Sequence, residues 1–234
     1  MASGRLRRIN RAAAFIAVLS LPLVGDITLP VSAPKASSGI TYWQSRLDLV
    51  DGDLVFRTGR DIMARLVLSQ SNTARFSHVG LIVTVDGKPF VVHALPADGR
   101  LQGGVILEPL AQFAAPENAA TIAFFRVRNV ENSSRHRIRE YALKQLGKPF
   151  DDAFSLADHS RMYCTELALN ALAAGGIATA TVPRHRVMLL TEPVVLPDDL
   201  IFSLSVEPSA PNSTFARADV LPRPSGSVGR RGSM

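Results

Sequence analysis

The sequence predicts an α+β domain of five or six short strands with a few helices, and three features of the chain point to it. Of the 234 residues, 47% are hydrophobic, which is enough for one domain with a substantial core. Short apolar runs bounded by glycine, proline or aspartate are interspersed with segments in which apolar residues recur at helical spacing. No internal repeat is visible, so the pattern indicates a single domain between two chain ends of different composition.

Apolar runs bounded by turn residues predict five strands, over residues 54–57, 79–85, 90–95, 105–107 and 122–127. The second and third are separated by little more than Asp86-Gly87, a pair typical of tight β-hairpins. Between the first two strands, apolar residues at helical spacing behind Asp61 predict a short helix over about 61–70.

Helices are predicted to dominate the second half of the domain. One is expected to be capped by Ser133-Ser134 and to stop at Gly147, because glycine is favoured where a helix ends. Another is predicted to begin near Cys164 and to end at Gly175-Gly176. A last strand is expected over 200–205.

The two ends of the chain differ from the domain between them. Residues 1–33 combine arginines, an apolar run over 12–24 and small residues before position 34, which is typical of a secretory signal peptide or an N-terminal anchor. The apolar run is too short for a span of about 20 residues, and a buried N-terminal helix is the alternative. Residues 34–47 are predicted to be a linker, and 206–234 a disordered basic tail. We therefore expect an exported protein, periplasmic or extracellular, either released or anchored by an uncleaved segment.

The positive charge of the chain is concentrated at its ends. The net charge is +6, yet residues 34–215 contain equal numbers of basic and acidic residues. The arginines that give the chain its positive net charge lie in residues 1–33 and 216–234. Because the folded part carries no basic excess, we exclude nucleic acid as its partner.

Cys164 is the single cysteine of the chain, so no internal disulfide can form. It stands at the predicted start of a helix, where exposed amide groups stabilise a thiolate and lower its pKa. The same amides can stabilise the oxyanion that forms when a thiolate attacks a carbonyl group. The alternative is a buried cysteine that acts as a small hydrophobic residue.

A nucleophilic thiol needs a base, usually a histidine held by a third polar group. Of the five histidines, His136 and His185 are predicted to lie at the surface, and the direction of His159 is open. His78 and His93 differ from these because both lie in apolar strand segments on either side of the predicted hairpin turn. A strand histidine with only a packing role is the alternative for each.

The hairpin register decides whether these two histidines can meet. With a two-residue turn at the Asp-Gly pair, His93 lies opposite Gly80, and His78 lies two residues from Gly80 on the same strand. Both imidazoles then project from one face at diagonal positions, roughly 7–8 Å apart in the backbone. Pro89 leaves longer turns open: a four-residue turn keeps the shared face, whereas a three-residue turn places the histidines on opposite faces.

Four segments together resemble the permuted papain-like amidases of the YiiX/YaeF type, relatives of the NlpC/P60 hydrolases. The segments are GDLVF at 52–56, FSHVGLI at 76–82, GKPFD at 147–151 and YCTEL at 163–167. The histidine segment precedes the cysteine segment, as circular permutation of the papain order requires. The resemblance covers about 48–205 and implies a circularly permuted papain-like fold, with an antiparallel sheet packed against helices.

The resemblance also implies roles for individual residues. Cys164 matches the nucleophile and His78 the general base, while His93 falls on the third catalytic position, which is often a glutamate. A histidine there orients the base less strongly than a carboxylate does, and Glu108 is the alternative source of a carboxylate. Asp53 and Tyr163 match positions near the site and are expected to support it, unless the first is a turn residue and the second a packing residue.

The function expected from these residues is a cysteine hydrolase that cleaves amide or ester bonds. Envelope location makes a small peptide, a cell-wall fragment or a lipid the expected substrate, with peripheral association to the cell envelope. The alternatives are a thiol acyltransferase or lipid acylhydrolase, and a catalytically silent binding module. No cofactor or metal is expected, because the single cysteine and scattered histidines match no zinc spacing and no phosphate-binding loop is present.

Overall fold

The computed structural model describes residues 48–72, 74–97, 103–187, 190–209 and 214–216. The predicted signal and linker segments over 1–47 therefore lie outside the described residues, as does most of the predicted tail. Within the described ranges, no helix has both the length and the apolar character needed to cross a membrane.

One antiparallel sheet of seven strands forms the centre of the described domain. The strands are β1 Leu54–Thr58, β2 His78–Val85, β3 Lys88–Leu95, β4 Gly104–Pro109, β5 Thr121–Val127, β6 Val206–Pro208 and β7 Thr214–Ala216. Their order across the sheet is β4-β3-β2-β1-β5-β6, and β7 also pairs with β5.

Five helices accompany the sheet in the described part of the chain. They are α1 Ile62–Leu68, α2 Leu110–Phe113, α3 Asn132–Lys144, α4 Cys164–Ala174 and α5 Pro197–Ser203. The mixture of helices with an antiparallel sheet confirms the predicted α+β class. The Asp61 side chain accepts a hydrogen bond from the Ala64 N–H at 2.7 Å and so caps α1 as predicted.

The sheet has two faces that bury different side chains. The helix face packs against α3 and α4, and its core members from the strands are Leu54, Phe56, Val79, Leu81, Val83, Val92, Ala94, Val105, Ala123 and Phe125. The opposite face, here called the histidine face, packs against the short helix α2. Its members from the strands are Val55, Arg57, His78, Gly80, Ile82, Val91, His93, Ile106, Glu108, Ile122 and Phe124.

The predicted hairpin and its register are confirmed. Val85 pairs with Lys88 across a two-residue turn, and the ladder continues to Leu81 opposite Val92. Asp86 and Gly87 have φ angles of 50° and 72°, the left-handed values that a tight hairpin turn of this length requires. His78 and His93 therefore project from the same face.

The strand predicted over 200–205 is wrong, because these residues belong mostly to α5. Pro197 occupies the first turn, where its missing N–H costs nothing, and Asp199 accepts the Leu196 N–H at 2.7 Å. The strand follows one turn later, as β6. Within the predicted disordered tail over 206–234, the described residues include β6 and β7, which both pair with β5.

The helix before the cysteine segment starts earlier than predicted. α3 begins at Asn132 with Glu131 at its N-cap, so the two serines lie inside its first turn and cap nothing. Gly147 closes the turn that follows the helix, with a left-handed φ of 83°.

Candidate active site

Cys164 is the first residue of α4, which places its thiol at the amino end of a helix packed on the helix face. The backbone N–H groups of Val79, Thr165 and Cys164 itself point at the sulfur and lower its pKa. Burial outweighs them and raises the pKa of the thiol to about 11. The expected low thiol pKa is therefore corrected: helix amides are present, but desolvation of the thiolate is the larger effect.

The Val79 N–H can donate to the Cys164 sulfur because it points away from β1. Successive residues of an antiparallel ladder direct their N–H groups alternately to either side. The Ile82 N–H donates towards β1, to the Asp53 carbonyl at 2.8 Å, so the alternation turns the Val79 N–H towards β3. The β2–β3 ladder begins only at Leu81 opposite Val92, and the Val79 amide is left for the sulfur.

Three side chains form a line across neighbouring strands on the histidine face. His78 Nε2 lies 2.8 Å from His93 Nδ1, and His93 Nε2 lies 2.8 Å from Glu108 Oε1. The distance between His93 and Glu108 is short, but the N–H at His93 Nε2 is not aligned with the carboxylate oxygen. All three residues are at least nine-tenths buried, so the contacts are only weakly screened by water.

These contacts determine where the protons lie when both imidazoles are neutral. We assign the His93 proton to Nε2, next to the Glu108 carboxylate, which makes His93 Nδ1 an acceptor. His78 Nε2 must then carry a proton and donate it to that acceptor. His78 Nδ1 is consequently the atom with a lone pair, as a base acting on a thiol requires.

Arg57 is a buried cation beside this line of side chains. Its Nη1 donates to the Phe113 carbonyl at 3.1 Å and lies 4.0 Å from Glu108 Oε1. Its guanidinium carbon lies 4.5 Å from the centre of the Phe113 ring. The positive charge of Arg57 lowers the pKa of the Cys164 thiol, although by less than burial raises it.

Burial keeps both histidines neutral. The pKa of His78 is held well below its ordinary value of 6.5, first by desolvation, then by the positive charge of Arg57 and by the charge that His93 would carry if it were protonated. Desolvation also lowers the pKa of His93, and the contact with Glu108 opposes this shift. At neutral pH the resting site therefore holds an imidazole and a thiol rather than an ion pair.

Local packing fixes the positions of the two imidazoles. A Cβ atom at Gly80 would lie 2.4 Å from Val91 Cγ1 and 3.2 Å from His93 Cβ, so a side chain there would displace β3. The chain leading into β2 is fixed by α5, because Asp198 accepts the N–H groups of Arg75 and Phe76 at 3.0 and 2.9 Å.

Two cavities adjoin the cysteine, and a third shares wall residues with one of them. A small cavity of about 60 Å³ is lined by both Cys164 and His78. A larger one of about 380 Å³ adjoins Cys164 and is walled mainly by apolar side chains. A third, of about 760 Å³, adjoins Arg57 and Glu108 and has a more polar wall.

The two predicted supporting residues, Asp53 and Tyr163, lie apart from the line of histidine contacts. Asp53 is fully buried and receives hydrogen bonds from Arg126 at 2.8 and 2.9 Å, with Arg135 at 3.4 Å. It lines none of the three cavities and secures the start of β1. Tyr163 packs in the core and lines the apolar cavity, where burial raises its pKa.

The other histidines lie away from the line of contacts. His136 is exposed and pairs with Glu140 at 3.1 Å. His185 contacts Asp199 at 2.9 Å, and His159 is mostly exposed, 3.7 Å from Glu166. His136 therefore lies at the surface as expected, and the His159 side chain points towards solvent.

Sequence reasoning missed Arg57 and the Val79 amide. The signal for Arg57 was a charged residue inside the apolar run of β1, on the alternate positions that also carry Val55. The Val79 amide has no sequence signal, because its availability depends on where the β2–β3 ladder begins.

This chain is similar to known proteins of one family. The family model described as permuted papain-like amidase enzyme, YaeF/YiiX, C92 family, matches residues 48–207. Uncharacterized protein YiiX of Escherichia coli strain K12 is 28% identical over 142 residues, which are 60% of this chain and 61% of that protein. The chain thus matches less than two thirds of the length of this curated relative.

A comparison with solved structures gives the same fold. The crystal structure of the metalloprotein yiiX from Escherichia coli O157:H7 matches with a TM-score of 0.57 and 22% identity, over 68% of this chain and 96% of that one. At this identity the likeness shows the fold alone, and it confirms the predicted permuted papain-like fold. In the described part of this chain, no group of three or more His, Cys, Asp or Glu side chains is arranged to hold a metal ion.

Proposed function

Because the chain belongs to the permuted papain-like amidase family, whose character is that of a cysteine hydrolase, we propose that it cleaves amide or ester bonds with Cys164 as nucleophile and His78 as general base. The proposal is supported most directly by one observation. Glu108, His93 and His78 contact one another in series, and His78 and Cys164 line the same small cavity.

The proposed reaction starts from neutral partners. As the sulfur attacks the substrate carbonyl carbon, His78 Nδ1 accepts the thiol proton, and the carbonyl oxygen becomes an oxyanion. The N–H groups of Val79, Thr165 and Cys164 donate to the sulfur in the resting site. We expect them to become available to the adjacent oxyanion once the sulfur has bonded to the carbonyl carbon. His78 then gives its proton to the leaving amine or alcohol, and water releases the acyl group from the sulfur.

His93 and Glu108 act on His78 in this proposal. The imidazolium that forms at His78 during attack donates a hydrogen bond from Nε2 to His93 Nδ1 and keeps that proton. The Glu108 carboxylate stabilises the positive charge through His93. His93 and Glu108, the two alternatives for the third catalytic position, thus act together: His93 contacts His78, and Glu108 contacts His93. Asp53 is assigned to the fold, and Tyr163 to the wall of the apolar cavity.

We also propose that the protein is exported and acts on envelope peptides or lipids. The support is the N-terminal combination of arginines, an apolar run and small residues. Peripheral association with the cell envelope is part of this proposal. A fusion of residues 1–47 to a periplasmic reporter tests it, because only export allows the reporter to work.

The proposed activity is tested by hydrolysis of p-nitrophenyl butyrate and by alkylation of Cys164 with iodoacetamide across pH. We expect Cys164→Ser to abolish hydrolysis and His78→Ala to lower kcat/KM by about 10²- to 10⁴-fold. Alkylation of the wild type is expected to rise with pH towards a midpoint near 11, the pKa to which burial raises the thiol.

His136→Ala is the matched control, since it removes an exposed histidine that contacts Glu140. It should leave both rates unchanged. Full hydrolysis in Cys164→Ser would contradict the assignment of the nucleophile. An inactive wild type whose cysteine reacts at the same rate in His78→Ala would favour a silent binding module.

A further inference from the structure

We propose that the acyl part of the substrate is an aliphatic chain that occupies the apolar cavity beside Cys164, while the leaving group is polar and lies on the His78 side. This inference rests on the proposed hydrolase function and adds the substrate class and its direction in the site. It is carried by the walls of the cavities and by which reacting residue each of them contains.

The apolar cavity is suited to a hydrocarbon ligand. Its volume of about 380 Å³ lies in the range of small-molecule pockets. The wall is formed mainly by side chains of α1 and of the segment before α5, and includes Met63, Leu66, Val67, Leu190, Val194 and Leu196. Filling it with apolar groups would remove both surfaces from water, which is favourable.

The polar groups of the same wall already have partners. The Thr165 hydroxyl donates to the Val195 carbonyl at 2.8 Å, and the Ser77 hydroxyl accepts the Gly59 N–H at 2.8 Å. Ser69 and Gln70 donate to the Leu66 carbonyl at 2.7 and 2.9 Å. A peptide in this cavity would bring N–H and C=O groups that need partners, whereas an aliphatic chain needs none.

The direction of the substrate follows from His78. Cys164 lines both the apolar cavity and the small cavity, but His78 lines only the small one. The leaving group must accept a proton from His78, so it has to lie on the side of the small cavity. The acyl group, bound to the sulfur, is then directed into the apolar cavity on the other side.

The space beyond the small cavity matches a polar leaving group. The third cavity, of about 760 Å³, shares Arg57, Asp61 and Met63 with the small one. Its wall also carries Arg60, Glu108 and Glu117, so charged groups face the space that an amine or alcohol product would leave through. An amphiphilic substrate therefore fits the site in one direction only.

Leu66 supplies the variant for a test. Its side chain lines the apolar cavity, and the residue is 45% exposed, which places it at the mouth. Leu66→Glu puts a carboxylate at this mouth. Leu146 is the matched control because it is exposed to a similar extent, 39%, and lines none of the three cavities.

The first readout is binding, measured without turnover. A fluorescent fatty-acid analogue is titrated into full-length Cys164→Ser, and into the same protein with Leu66→Glu or Leu146→Glu. We expect saturable binding that Leu66→Glu weakens about tenfold or more and that Leu146→Glu leaves unchanged. Absence of saturable binding, or equal loss in both double variants, would overturn the inference, even if the hydrolase function stands.

The second readout is the ratio of kcat/KM for p-nitrophenyl octanoate to that for the acetate. We expect the wild type to favour octanoate about tenfold or more, and Leu66→Glu to lose this preference. A preference for acetate, or for the p-nitrophenyl ester of N-acetyl-leucine over octanoate, would contradict an aliphatic acyl group. Failure of every ester to turn over would count against the hydrolase, while the fatty-acid titration would still decide what the cavity binds.

Discussion

The two faces of the sheet bury different kinds of side chain, apolar ones on the helix face and several ionisable ones on the histidine face. On the helix face, apolar strand residues pack against apolar residues of α3 and α4 in the larger of two hydrophobic clusters. On the histidine face, a smaller cluster beneath α2 shares its space with Arg57, His78, His93 and Glu108. Burial of apolar side chains stabilises the fold, whereas burial of ionisable groups costs free energy unless they have partners.

Substitutions of apolar residues on the helix face should therefore affect folding, whereas substitutions of the ionisable residues on the histidine face should affect the proposed reaction. The proposed nucleophile, Cys164, is carried by a helix that packs on the helix face, and the proposed base, His78, by a strand residue of the other face. Both residues line the small cavity, beside the part of β2 that precedes the β2–β3 ladder. Three predictions test this division, and they follow in order of decreasing expected effect.

The largest effect is expected from a cavity in the helix face. Leu172 is fully buried in the last turn of α4, so Leu172→Ala should lower the free energy of unfolding by about 2–5 kcal/mol. Urea denaturation measures this loss, with Leu146→Ala at the partly exposed Leu146 as control. Under conditions in which the variant is folded, hydrolysis should remain close to wild type. A large loss of kcat/KM with unchanged stability would contradict the division between the faces.

A smaller effect is expected from the carboxylate at the end of the line on the histidine face. Glu108→Gln removes a negative charge next to His93 Nε2, and we expect kcat/KM to fall by about 10- to 100-fold. Because the contact with Glu108 raises the pKa of His93, the acid limb of the pH profile should also move to lower pH. Glu108→Asp, which keeps the charge, should recover part of the activity. An unshifted profile in the Gln variant would limit Glu108 to a packing role.

The smallest effect concerns stability at mildly acidic pH. The folded-state pKa of His78 is lowered well below 6.5 and that of His93 is lowered too, so below pH 6.5 the unfolded chain binds more protons than the folded one. The free energy of unfolding should therefore fall as pH decreases, by up to about 1.4 kcal/mol per pH unit for each histidine. His78→Gln should reduce this slope, and His136→Gln should not. Equal slopes in both variants would mean that His78 takes up its proton without unfolding.

Local signals in the sequence predicted much of the fold. The Asp-Gly turn specified the β2–β3 register, and Asp61 marked the start of α1, because both depend on residues adjacent in the chain. The start of α4 at Cys164 was also predicted, from the apolar spacing and the glycines at its end. The α5 segment was misassigned, because its short apolar run also suits a strand and the capping role of Asp199 was overlooked.

The candidate site was less predictable, because it depends on pairing between distant strands. The sequence presented His93 and Glu108 as alternatives, whereas the register of β3 with β4 places them in contact. The thiol pKa was expected to fall, since the helix amides are evident in the sequence but the surrounding burial is not. Asp53 carries the motif position of a supporting residue, yet its two arginine partners come from segments more than 70 residues away.

The neutral resting thiol also has a consequence for oxidation. Oxidants attack the thiolate, and with a pKa of about 11 only about one molecule in ten thousand carries that form at pH 7. An ordinary exposed cysteine, with a pKa of about 8.5, would be ionised in about three molecules per hundred. Burial of the thiol thus protects Cys164 from sulfenic acid formation in the resting site, and in the proposed reaction the thiol loses its proton only when a carbonyl group is there for the sulfur to attack.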